Sequence, residues 1–144
     1  MTDNQFEAKE WLNRMFKASE EIESIKRTLE TILAEMGGVI KYDADFPTRN
    51  PKSTENKLLR YSQVHAELDK KQEELNREDA RTARVIENLT DRKQRTVLRD
   101  RYINRLSWRK IAKAENYSEA RVYEIHREAL EQIWQYIPGR NGNI

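Results

Sequence analysis

The sequence predicts an all-α protein, with a long antiparallel, coiled-coil-like helical hairpin followed by a three-helix helix-turn-helix domain. Three observations carry that expectation. The 144 residues are 36% charged and 37% hydrophobic, with only four Gly and three Pro, a composition that favours long helices over many-stranded sheets. The first segment spaces its apolar residues in alternating steps of three and four, the signature of a helical seam. After Leu89 the rhythm shortens into three helical patterns, each opened by a residue able to cap a helix N-terminus.

The first helix is read from Ala8, Trp11, Met15, Ala18, Ile22, Ile25, Leu29, Ile32 and Met36, widened by Leu12, Phe16 and Leu33. Gly37-Gly38 is expected to stop it, because Gly takes the left-handed C-cap without steric cost. Residues 37–53 are expected to form the loop; Asp43, Asp45, Pro47, Asn50 and Pro51 break regular structure there. Val39, Ile40, Tyr42 and Phe46 are expected to fold back onto the helix ends. Ser53 or Thr54 can cap a second helix running to about Leu89. Its seam is Leu58, Tyr61, Leu68, Leu75, Thr82, Ile86 and Leu89, interrupted by the polar His65, Gln72 and Asp79. An antiparallel hairpin sets Leu58, Leu59 and Tyr61 beside Ile32, Leu33 and Met36. It sets Val85, Ile86 and Leu89 beside Trp11, Leu12 and Phe16. Two helices alone bury little, so Trp11, Met15, Ile22, Ile25, Leu29, Ile32, Leu68 and Leu75 are expected to form an oligomer seam, in a homodimer or larger homo-oligomer.

In the remaining chain, Thr90 precedes a helix holding Val97, Leu98 and Tyr102, and Asn104-Arg105-Leu106 reads as a turn. Ser107 caps a short helix with Trp108, Ile111 and Ala112. Glu115-Asn116-Tyr117 is a second turn, and Ser118 caps a final helix with Val122, Ile125, Ala129, Ile133 and Tyr136 on one face. Small Ala112, where the two helices cross, and Asn116, which tolerates positive φ, fit a helix-turn-helix. The domains expected are therefore 1–89 for assembly and 90–137 for binding, with 138–144 a flexible tail. With Val122 and Ile125 facing the core, Glu119, Ala120, Arg121, Tyr123, Glu124 and Arg127 face outward, and the final helix would enter a major groove. His126 is expected at the surface or groove edge.

Charge is polarised. Residues 1–36 carry five basic and eight acidic side chains, residues 37–90 ten of each, and residues 91–144 twelve and seven, for a chain total of +2. The +5 of the last segment points to a nucleic-acid-facing C-terminal third. Arg105, Arg109, Lys110 and Lys113 flank the turn and first helix of the motif, while Arg92, Lys93, Arg95, Arg99 and Arg101 line the helix before it. Some of these should neutralise phosphates, the contacts that supply most of the affinity. Catalysis and metal binding are not expected: there is no Cys, only two His, and no Gly-rich phosphate loop. No cofactor is implied. No apolar run reaches membrane-span length, and Met1-Thr2-Asp3-Asn4-Gln5 lacks a secretory pattern.

Val97-Leu98-Arg99-Asp100-Arg101-Tyr102-Ile103, Leu106-Ser107-Trp108-Arg109-Lys110-Ile111-Ala112 and the stretch Tyr117 to Leu130 resemble region 4 of bacterial sigma factors. The Tyr-Ser cap, the Val-Tyr-x-Ile-His run and the closing Ala-Leu resemble phage late-transcription regulators of the ArpU and RinA type. The likeness covers roughly residues 88–136. It implies base-reading positions at Glu119, Ala120, Arg121 and Glu124. Backbone or groove-edge contacts are expected from Arg105, Arg109, Lys110, Lys113, Ser118, Tyr123 and Arg127. Arg121 can pair bidentately with guanine, Glu119 or Glu124 can accept from cytosine N4, and Ala120 can meet a thymine methyl. No counterpart of sigma region 2 precedes the motif, so a promoter-binding activator is expected rather than a primary sigma factor. Its partners would be double-stranded DNA and, as a further candidate, host RNA polymerase, in the cytoplasm of a bacterial host. Two alternatives stand beside it: a small-terminase-like DNA-packaging subunit, and a scaffold or anti-sigma-like protein that does not touch DNA.

Overall fold

A computed structural model of the chain describes the backbone of residues 1–42 and 51–139 and the side chains of residues 1–37 and 54–139. Among the described residues every regular element is helical. They are α1 (Asp3–Leu12), α2 (Phe16–Tyr42), α3 (Pro51–Ile86), α4 (Arg92–Tyr102), α5 (Trp108–Glu115) and α6 (Glu119–Ile133), followed by one 3-10 turn at Trp134–Tyr136. The all-α class is as expected. The compact units, however, divide the chain elsewhere than at residue 89: Met1–Phe16 joins Arg77–Ile144 in one, and Lys17–Asn76 forms the other.

In the unit of residues 17–76, α2 and α3 run antiparallel, and Lys71 Nζ lies 2.9 Å from Glu21 Oε1. Equal helical rise from that ion pair sets Ile32 level with Arg60 and Tyr61, close to the expected register. Ile22, Leu29, Ile32 and Met36 of α2 and Leu75 of α3 are buried, while Ile25 and Leu68 are half-buried. Leu33, Leu58 and Leu59 remain 48%, 47% and 59% exposed.

Two expected boundaries move. The helix does not stop at Gly37-Gly38 but runs on to Tyr42; Gly in a helix interior costs only about 1 kcal/mol relative to Ala, and Gly37 has open space around it. α3 starts at Pro51 rather than after Ser53 or Thr54, since Pro at the first helical position gives up an N–H that has no intrahelical partner anyway. The expected fold-back of Val39, Ile40, Tyr42 and Phe46 lies outside the described side chains, and the tail beyond Gly139 outside the described residues.

The other unit holds the larger correction. The first seam is not one helix. α1 ends at Leu12, where the Asn13 N–H bonds back to the Lys9 carbonyl at 3.0 Å and the Arg14 N–H to the Trp11 carbonyl at 3.2 Å, and α2 begins at Phe16. Arg14 locks the break: it donates to Glu78 Oε1 at 3.1 Å, to the Glu78 carbonyl at 3.1 Å and to the Trp11 carbonyl at 3.0 Å, with its guanidinium 3.8 Å over the Trp11 ring. The break turns α1 onto α6. Ala8 and Leu12 join Val85, Ile86 and Leu89 in a cluster with Leu98, Tyr102, Ala129, Leu130, Ile133 and Ile137. Trp11 therefore packs against this core rather than lying on a long seam, and Met15, half-buried, sits in the break between α1 and α2. Thr2 caps α1 in a reciprocal capping box with Gln5, and its hydroxyl donates to Glu131 at 2.8 Å.

Candidate nucleic-acid interface

α5, the turn at residues 116–118 and α6 form a helix-turn-helix whose local geometry follows from its residues. Ser107 Oγ accepts from the Lys110 N–H at 3.2 Å, and Ser118 Oγ accepts from the Arg121 N–H at 3.1 Å. Both expected caps are present. The cap of α4 is Asp91 rather than Thr90: one of its carboxylate oxygens accepts from the Lys93 and Gln94 N–H groups, two donors satisfied where a hydroxyl would commonly take one.

Asn116 ends α5 at φ 59°, ψ 40°, in the left-handed region anticipated for it. The Tyr117 N–H reaches the Ala112 carbonyl at 2.9 Å and the Asn116 N–H the Lys113 carbonyl at 3.4 Å. This pair of bonds is a Schellman ending, and Tyr117 packs against the buried cluster that includes Ala112. Beneath the turn, Val97, Ile111, Ala112, Val122 and Ile125 are buried together. Their burial fixes which side of α6 faces out: Glu119, Ala120, Tyr123, Glu124 and Arg127 are exposed, with Arg121 at the edge.

The outward face is nearly neutral. Arg121 Nη1 donates to Glu124 Oε1 at 2.7 Å, so two of the expected base-reading groups engage each other in the free protein. Tyr123, 39% exposed, leans on Trp108 with ring centroids 5.1 Å apart. Net positive charge sits instead on α5, where Arg109, Lys110 and Lys113 are exposed and none has a side-chain partner among the described residues.

The remaining cations sort by whether the fold already uses them. Arg105, expected at the DNA backbone, is committed elsewhere. It donates to both carboxylate oxygens of Asp79, at 3.0 and 2.9 Å, and to the Ile103 carbonyl at 2.7 Å. Its backbone takes φ 56°, and its side chain is only 23% exposed. A bidentate, largely buried guanidinium is a structural tie rather than a phosphate clamp. Arg95 donates to the Leu89 carbonyl at 2.7 Å and Arg99 to Glu87. Arg101 donates to the Leu106 carbonyl at 3.0 Å and lies 4.3 Å over the Trp108 ring. Arg92, Lys93 and Arg127 stay exposed, with no side-chain partner among the described residues.

His126 is not at the surface. It is 3% exposed, its Nε2 is 2.6 Å from the Tyr102 hydroxyl, and the Trp108 ring meets it edge-on at 4.6 Å. Burial, and secondarily Lys9, Arg101 and Arg127, push its pKa down to about 4; burial also raises that of Tyr102. The folded value lies below the ordinary 6.5, so the unfolded chain takes up the proton first. The neutral imidazole's stability is whole above pH 6.5 and is lost as pH falls toward 4. Between pH 7.5 and 5.5 this linkage should cost about 1–1.5 kcal/mol. Urea midpoints at both pH values should show that loss in the wild type and a smaller one in His126→Gln; equal losses would contradict it.

The family described as a protein of unknown function, DUF1492, matches residues 58–133, more than half of the chain. The chain belongs to that family. The DUF1492 stretch takes in most of α3 together with α4, α5 and α6, and leaves α1 outside it. No curated protein and no solved structure matches the chain. Among the described residues no helix is long and apolar enough to cross a membrane.

Proposed function

We propose that this DUF1492 protein is a sequence-specific, double-stranded DNA-binding transcription regulator. The observation that carries the reading is the division of labour across the motif: a rigidly capped α6 offers an exposed face, and the adjoining α5 supplies uncommitted cations. α6 lies in the major groove and reads bases through Glu119, Ala120, Arg121 and Glu124, while Arg109, Lys110 and Lys113 hold phosphates. Ser118, Tyr123 and Arg127 sit at the groove edge. The resemblance of residues 88–136 to sigma region 4 and to ArpU/RinA-type regulators makes it a phage or prophage late-gene activator, working at a promoter with host RNA polymerase in a bacterial cytoplasm. The test is fluorescence anisotropy of the full chain on duplex DNA across a salt series. Affinity should fall linearly with log salt, with a slope worth several phosphates. No binding to any duplex at 50 mM salt would overturn the reading and favour a scaffold.

The hairpin serves assembly. Leu33, Leu58 and Leu59, about half exposed, lie near one level of the α2–α3 pair, and a second copy covers that face most simply through two-fold symmetry. Sedimentation equilibrium should give a dimer at micromolar concentration and a monomer for Leu33→Glu/Leu59→Glu. A wild-type monomer well above that concentration would contradict it.

A further inference from the structure

We infer that Arg92 and Lys93 form a second phosphate clamp, on the far side of the major groove from Arg109 and Lys110. The inference rests on the DNA-binding reading above. Arg92, Lys93, Thr96, Glu115 and Tyr117 line one cleft of about 240 Å³ between the start of α4 and the end of α5. Five cations precede or line α4. Arg95, Arg99 and Arg101 are spent on Leu89, Glu87, Leu106 and Trp108, which leaves Arg92 and Lys93, both exposed. Among the described residues Glu115 is the one acid lining the cleft, so the described lining is net positive. Thr96 and Tyr117 bring hydroxyls that can donate to phosphate oxygens.

Position makes the cleft specific to a duplex. Arg109 and Lys110 stand in the first turn of α5, and Glu115 and Tyr117 at its other end. Five to six steps of helical rise separate Lys110 and Arg109 from Glu115, roughly 8–9 Å, and the long side chains at either end extend that reach toward the roughly 12 Å width of the major groove. A helix that crosses the groove mouth with cations at both ends meets one strand with each, while α6, which starts just after Tyr117, descends between them. The α4 N-terminus itself takes no part, because Asp91 already occupies its Lys93 and Gln94 N–H groups.

The test is Arg92→Ala/Lys93→Ala in the full chain; both side chains are exposed, so the melting temperature should match the wild type. Anisotropy on a duplex the wild type binds should show about a 10- to 50-fold loss at 0.15 M salt. The loss should be the same on every sequence, with a log–log salt slope shallower by about 2. Phosphate-ethylation interference should lose its signal on one strand at one groove edge and keep it at the other. An unchanged slope and interference pattern would overturn the clamp while leaving DNA binding intact. A wild-type chain that binds no duplex would instead overturn the reading beneath it. Loss confined to one sequence would assign the pair to base readout and equally overturn the clamp.

Discussion

A fragment of residues 90–144 is expected not to fold on its own, although its three helices are those of the helix-turn-helix. Its core faces Leu98, Tyr102, Ala129, Leu130 and Ile133 close over Ala8, Leu12, Val85, Ile86 and Leu89, and the fragment lacks all five. Burying a Leu, Ile or Val side chain stabilises by about 1.5–3 kcal/mol. The four larger residues therefore represent about 6–12 kcal/mol, on the scale of a whole domain's stability of about 5–15 kcal/mol. Circular dichroism should show low helicity and no cooperative melt for the fragment, and both for the full chain. In the full chain, Ala8→Glu places a carboxylate at a fully buried position, where no partner compensates its desolvation. It should lower stability by about 3 kcal/mol or more, read as a fall in the urea midpoint. A fragment that melts cooperatively near the full chain's midpoint would contradict the assignment of α1 to this unit.

The second large effect is on recognition. Arg121→Ala should cost about 1–3 kcal/mol on the preferred site and far less on random duplex. In the free protein its guanidinium is held by Glu124 at 2.7 Å. Under the proposed DNA-binding function a base would have to displace Glu124 from Arg121. That pair is exposed and worth little to stability, so the melting temperature should hardly move. Equal losses on preferred and random DNA, measured by anisotropy at one salt concentration, would reduce Arg121 to a phosphate contact.

What could be read ahead from residues was what depends on near neighbours. Ser107 and Ser118 cap helices that begin one residue later, Asn116 takes the left-handed turn its short polar side chain tolerates, and Val122 and Ile125 orient α6 through helical spacing. What could not be read were partners distant in sequence. Ala8, Trp11 and Met15 keep a seam's spacing whether they face α3 or α6, and only the tie from Arg14 to Glu78 shows where the helix breaks. Counting charges treats Arg105 and Lys113 alike, yet Asp79, 26 residues away, holds the first and nothing described holds the second. His126 likewise reads as a surface residue until Tyr102, 24 residues earlier, is found beneath it. The sequence does mark Asp79 as unusual, since with His65 and Gln72 it stands as a polar residue on a seam of mostly apolar ones, but spacing alone does not name Arg105 as its partner.

Selection from a random duplex library at 0.15 M salt, with wild type and Arg121→Ala in parallel, decides whether the protein reads DNA sequence through α6. The wild type should enrich a defined motif, and the variant's motif should lose preference at one base position while keeping the rest. A wild-type chain that retains duplex without enriching any motif, or retains none, would contradict that reading.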